Sequence, residues 1–270
     1  MVITTNDITQ KNYKKLSIQV SLSGLSFCVF DLITKKVITH NNIEFEKNKV
    51  IEEQLWKVFI DNPILINSYD EVIVLHDNNL NTFVPDALFD VNQIGSYLQY
   101  NVKVFETDLF NYDSIENYNI NNVYVPYVNI NNFLLDQFSS FDYKNVNTIL
   151  VKKILDLSIG NNDKQVFVHF QPDSFQIIVV KNQLLFLFNS FEYSTPEDFI
   201  YYLLFTYEQL QLSPETISTQ LLGNIEKSSD YFKIAYKFIR HCDLLNTEKL
   251  INVIGKTDIE IRNNFILFHS

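Results

Sequence analysis

His169 and Asp173 flank the turn Gln171-Pro172-Asp173 and would meet across it, which makes them a candidate acid/base pair. An imidazole titrates near neutrality, and a carboxylate beside it can orient the ring. A polar hairpin tip closed by a Pro-Asp turn accounts for the same residues without chemistry. His241-Cys242-Asp243 sets a thiol next to an imidazole, but sequence neighbours rarely point at each other, and activating a nucleophile needs contact in space. His76-Asp77 closes a strand-like run, at the sheet end where α/β sites usually form. A plain turn after a strand explains it equally well. The sequence has no HExxH, GxSxG, EF-hand or Walker A pattern. His40, His76, His169, His241 and His269 show no metal-ligand spacing. No catalytic residue, metal or cofactor is implied.

Composition narrows the field further. Only 5 of the 270 residues are Gly, where average usage would give roughly 19. Phosphate-cradling loops need close-set glycines, because Gly alone lets the backbone approach a ligand at positive φ. No two glycines here are near neighbours. The net charge of −11 repels polyanions, and Arg occurs only at Arg240 and Arg262. Nucleic-acid binding is therefore not expected. Cys28 and Cys242 form no CxxC pair. Met1–Asp7 lacks the charged and apolar regions of a secretory signal. No apolar run is long enough to insert in a membrane; Phe175–Phe191 is interrupted at Lys181-Asn182-Gln183. A reduced, cytoplasmic protein is expected.

Two similar sets of elements would position these residues. Leu16–Val20 and Leu25–Asp31 alternate as strands about a Ser23-Gly24 turn, followed by a strand over Val37–Ile43. A helix is predicted at Val50–Asp61 with Ile51, Leu55, Val58 and Phe59 on one face, then a strand at Glu71–His76. About 148 residues on, the order returns. Strands are predicted at Val166–Phe170, Phe175–Val180 and Leu184–Phe191. Thr195-Pro196-Glu197-Asp198 then caps a helix. A strand at Ile217–Leu222 and a helix around Asp230–Arg240 complete the set. Each half thus reads βββαβα, giving domains at 1–140 and 141–270.

Two such halves resemble the actin-like ATPase fold, which is ribonuclease H-like and is shared by sugar kinases and the type IV pilus assembly protein PilM. Val168–Val180, the run from Asn182 to Phe186, and the segments Leu212–Ile217 and Leu222–Ile225 are similar to the pilus-type members. Leu16–Ser21, Gly24–Phe27 and the Phe167–Asp173 hairpin resemble a Bacteroidetes family of unknown function, domain of unknown function 3822. The resemblance implies an α/β fold of two lobes with mixed sheets and a nucleotide cleft lined by Ser21, Ser23, Gly24, His169, Asp173, Ser174 and Gly223. The family's phosphate loops are changed here. Ser21-Leu22-Ser23-Gly24 carries no carboxylate, and His169–Ser174 has no Gly while Pro172 removes an amide donor. Gly223-Asn224 replaces paired glycines. Phosphoryl transfer depends on such amides, on Mg²⁺ and on a placed carboxylate, so a scaffold without turnover is expected, with altered nucleotide or sugar binding as the alternative.

Residues 106–128 are Asn- and Tyr-rich and are expected to form an insertion or surface connection. Tyr112, Tyr118, Tyr124 and Tyr127 make it the candidate surface for a protein partner, unless these rings pack on the body. Pairing with a second copy is the other partner considered. The apolar ending Phe265–Phe268 is expected to be a last core strand or a docking tail.

Overall fold

The structure, a computed structural model, describes residues 11–100, 102–105 and 107–270. Met1–Asp7 and Glu106 lie outside the described residues. Strands β1 (Lys14–Val20) and β2 (Gly24–Asp31) form an antiparallel hairpin, with Val20 opposite Leu25. β3 (Val37–Glu44) extends it. Helix α1 (Ile51–Asp61) turns Leu55, Val58 and Phe59 onto Leu16, Ile18 and Val20 of β1. β4 (Glu71–His76) then runs parallel to β1.

The chain next builds a small sheet from β5 (Asn81–Pro85), β6 (Asn111–Ile115) and β7 (Ile120–Tyr124), with the short helix α2 (Ile94–Leu98) between β5 and β6. Helix α3 (Val128–Gln137) leads to β8 (Asp142–Asn145), which joins the first large sheet beside β4. Helix α4 (Val146–Leu157) lies between the two large sheets. It packs on Ile73 and Leu75 of the first and on Phe167, Ile178 and Leu222 of the second.

The second lobe opens with β9 (Gln165–Phe170), β10 (Ser174–Lys181) and β11 (Leu184–Glu192). Helix α5 (Pro196–Gln209) begins with a complete capping box, in which Thr195 and Asp198 each accept from the other's backbone amide. β12 (Ser218–Gly223), α6 (Asp230–Phe238) and β13 (His241–Leu244) follow. The chain ends in α7 (Glu248–Ile254), α8 (Asp258–Asn263) and α9 (Phe265–Phe268). Strand order is β3-β2-β1-β4-β8 in one large sheet and β11-β10-β9-β12-β13 in the other. In each, the first three strands are antiparallel neighbours and the last two run parallel to the first. The result is an α/β fold with two mixed-sheet lobes flanked by helices.

Four sequence expectations need correction. Each half carries a fifth strand, β8 or β13, only four residues long and too short to stand out by alternation. β8 pairs with β4, so the first sheet reaches beyond residue 140. Of the two readings of the Asn- and Tyr-rich stretch, an insertion or a surface connection, the second fails, because β6 and β7 within it are paired strands of the small sheet. Phe265–Phe268 is a helical turn, not a strand; all four side chains are buried, two with α4 and two against Cys28 and Phe30 of β2.

Candidate functional site

The tips of the two equivalent hairpins, 21–24 and 169–172, open on one cleft of about 350 Å³. Ser21 and Ser23 sit at the first tip with their hydroxyl oxygens 3.0 Å apart. Gly24 is required there by crowding, since a Cβ would stand 2.6 Å from the Ile43 carbonyl oxygen. Asn42 and Glu44 of β3, Asn224 after β12, and Asn263 and Asn264 from the C-terminal helices complete the rim. Among the described residues lining the cleft there are two carboxylates, Glu44 and Asp77, and no Lys or Arg.

Asp77 holds the floor. Its amide donates to the Val20 carbonyl (2.8 Å), which fixes it at the end of β4 beside β1. One carboxylate oxygen accepts from the Gln19 side-chain amide and the other from that of Gln171, each at 2.8 Å. Gln19 belongs to β1 and Gln171 to the opposite hairpin, so this acid bridges the two lobes. Gln171 is itself held by Ser174 Oγ at 3.0 Å, by the Gln176 amide at 3.0 Å, and by Tyr193, whose hydroxyl donates to its carbonyl at 2.9 Å. Of these bonds, the two that the Asp77 carboxylate accepts are of the stronger, charge-assisted kind.

The remaining sequence candidates fall in different places. His169 is buried and does not meet Asp173; its Nδ1 contacts Gln176 Oε1 at 2.8 Å, its cross-strand partner in the ladder. Burial pushes its pKa down, so the ring is held neutral. Asp173 and Ser174 lie beyond the cleft lining. Gly223 adopts φ +85 with a would-be Cβ 2.2 Å from the Phe170 carbonyl oxygen, so it serves a close backbone crossing. His76 is fully buried: Nδ1 accepts from the Tyr127 amide at 2.7 Å, and Nε2 lies 2.9 Å from Asn131 Oδ1. Burial lowers its pKa to about 4. In β13 the strand alternation turns Cys242 inward and His241 and Asp243 outward. Burial raises that thiol to about 12, which removes the thiolate a nucleophile needs.

Of the four tyrosines, Tyr124 is fully buried and its hydroxyl donates to Asp113, so it cannot belong to a partner surface. Tyr118 bonds to Asp156, Tyr127 stacks on His76, and Tyr112 remains 37% exposed. Sequence reasoning missed Gln19, Asn42, Asn263 and Asn264. Gln19 had a signal, a polar residue between Ile18 and Val20 in a strand; Asn263 and Asn264 had none, being brought to the rim from the far end of the chain.

Equivalent hairpins from two sheets of the same strand order, facing across one cleft, are the frame on which the comparisons bear. The family described as "Protein of unknown function (DUF3822)" matches residues 3–242. The chain belongs to this family. A DUF3822 member thus carries the two-lobed arrangement just described. Its chain is similar to a Bacteroides thetaiotaomicron VPI-5482 protein with an actin-like ATPase fold and unknown function, with a TM-score of 0.81 and 24% identity. That alignment covers 91% of this chain and 96% of the other. It is also similar to a chain of the PilM-PilN type IV pilus biogenesis complex, with a TM-score of 0.56 and 10% identity over 94% of this chain and 96% of that one. These likenesses give the actin-like fold. No match was found among curated proteins. Among the described residues no helix is long and apolar enough to cross a membrane, and no cluster of three His, Cys, Asp or Glu is placed to hold a metal.

Proposed function

We propose that this DUF3822 protein is a binding scaffold: an actin-like frame that holds a protein partner and carries out no phosphoryl transfer. The observation that supports this most is the state of Asp77. Both of its carboxylate oxygens are engaged by glutamine amides from opposite lobes, whereas a phosphoryl-transfer site needs its acid free for metal or nucleophile. The cleft offers no cation to a polyphosphate, and Pro172 and the buried His169 stand where the resemblance places a glycine-bearing phosphate loop. The matching strand orders favour a duplicated, ribonuclease H-like origin for the lobes. Two buried free thiols, Cys28 and Cys242, suit a reducing cytoplasm. A chain of the PilM-PilN complex shares the fold, and that parallel supports a protein as partner, with self-pairing as a further possibility of the same frame.

Isothermal calorimetry with Mg-ATP tests this reading: no binding at micromolar concentrations and no phosphate release are expected. Micromolar affinity or turnover would overturn it. A second reading is favoured by the open rim, where Ser21, Ser23, Asn42 and Asn224 present neutral hydrogen-bonding groups. Such a lining suits a small polyhydroxyl ligand such as a sugar, and a rise in Tm with a sugar panel would support it over the first.

A further inference from the structure

We propose that the open edge of β11 is a strand-addition site that captures an extended segment of a partner protein, apolar at alternate positions and basic at its N-terminal end. The inference rests on the scaffold reading and names the surface and the partner chemistry. β11 ends its sheet and, among the described residues, pairs there with β10 alone, so alternate backbone N–H and C=O groups point outward. Open edges are usually guarded by charge, proline or short length. β3, the equivalent edge of the other large sheet, ends in one charge, Glu44, and exposes the polar Asn41 and Asn42 before it. β11 also ends in one charge, Glu192, but its exposed residues before it are more apolar: Leu184 is 62% exposed, and Phe186 is 45% exposed with the Lys164 ammonium 5.2 Å from its ring centroid.

A groove of about 530 Å³ runs beside this edge, between residues 187–192 and residues 81–83 of β5, itself the edge of the small sheet. That volume lies within the range of ligand clefts, about 300–1,000 Å³. The six residues of β11 along it span about 20 Å. Phe83 and Phe188 meet edge to face at 4.9 Å and tie the two walls together. Leu187 and Phe191 add apolar lining.

Charge chooses the partner. Glu192 is the one residue charged at neutral pH among the described residues of the lining. Asp173 lies next to it, for Glu192 pairs with Ser174 and the Tyr193 amide donates to the Asp173 carbonyl. An antiparallel guest sets its N-terminal residue against Glu192, which calls for Lys or Arg there. Backbone pairing supplies the affinity and side-chain pockets the selectivity, as in other strand-addition modes.

The test uses the full chain and an acetylated, amidated probe peptide, Lys-Val-Thr-Val-Thr-Val, labelled for fluorescence anisotropy. Saturable binding is expected, with added hydrogen-exchange protection over amides 187–192. Glu192→Lys should weaken it about tenfold, and replacing the peptide's Lys with Glu should recover binding to that variant. N-methylation of alternate peptide amides should abolish it. No saturation up to about 1 mM, binding indifferent to N-methylation, or protection elsewhere would overturn the proposal, as would sedimentation showing the edge occupied by a second copy. Failure here with Mg-ATP still unbound removes this surface and leaves the scaffold reading intact.

Discussion

The two lobes share a strand order and differ in what fills them. The second is packed with aromatic rings: Phe199 lies 4.9 Å from Phe170 and 5.1 Å from Phe175, and Tyr193 lies 5.0 Å from Tyr231. The first carries beneath its small sheet a buried polar network. There Asp113 accepts from the Thr148 hydroxyl (2.6 Å), the Asn145 amide (2.9 Å) and the Tyr124 hydroxyl (3.2 Å). Asn122 donates to Thr148, and Asn81 and Asn147 join the network with their side chains bonded at 2.8 Å. One topology therefore tolerates two kinds of interior, the polar one held by the bonds its buried groups make to one another. Asn81, Asn122, Asn145 and Asn147 are thus part of the core.

The comparison breaks most sharply in the aromatic lobe. Phe175→Ala should cost about 3–5 kcal/mol in urea unfolding, because the rings around it cannot close the cavity. Acid should act next, through histidines spread over both lobes. His76 and His269 are each lowered to about 4 by burial, from an ordinary 6.5, and His169 is lowered too. Between about pH 6.5 and 4 the unfolded chain binds protons that the folded chain refuses, so stability falls as pH falls through that window. Below it both states are protonated and the loss stops. A shift of this size is worth about 3 kcal/mol per histidine, and His76→Gln should flatten the pH dependence of Tm by one such share.

In the polar lobe, Asp113→Ala should cost about 2 kcal/mol by stranding buried donors. Asp113→Asn should recover part of it, while an equivalent recovery by a hydrophobic residue would mean the network is not selected by its bonds. The smallest effect should come from the cleft: Gln171→Ala removes one bond to Asp77 and should cost about 1 kcal/mol. Its mark should be faster amide exchange at the hairpin tips with β4 unchanged. If exchange stays slow, the lobes are held by other contacts, such as α4 and the bonds from Gln176 and Ser190 to Asn79.

Local chemistry made most of the frame legible. Alternation marked the hairpins of both lobes, and Thr195 with Asp198 marked the start of α5. β8 and β13 escaped because each is only four residues long, too short for an alternation to stand out. Phe265–Phe268 misled because a continuous apolar run has the same composition in a buried strand and a buried helix turn. The cleft was half legible: His76-Asp77 was placed at the end of β4, but the direction of each side chain was not.

The sequence by itself determined the three-strand meander, helix and parallel strand of each lobe, the scarcity of glycine at the hairpin tips and the absence of a carboxylate at Ser21–Gly24. These depend on neighbours a few residues apart, where backbone sterics and hydrophobic period act. Only the tertiary structure decided that Asp77 is engaged, that His169 turns to Gln176 instead of Asp173, and that Tyr124 and the asparagines are interior. Asp77 meets its two partners across 58 and 94 residues of chain. Contacts at such separations are fixed by how whole sheets close on α4, and no local pattern of residues encodes that closure.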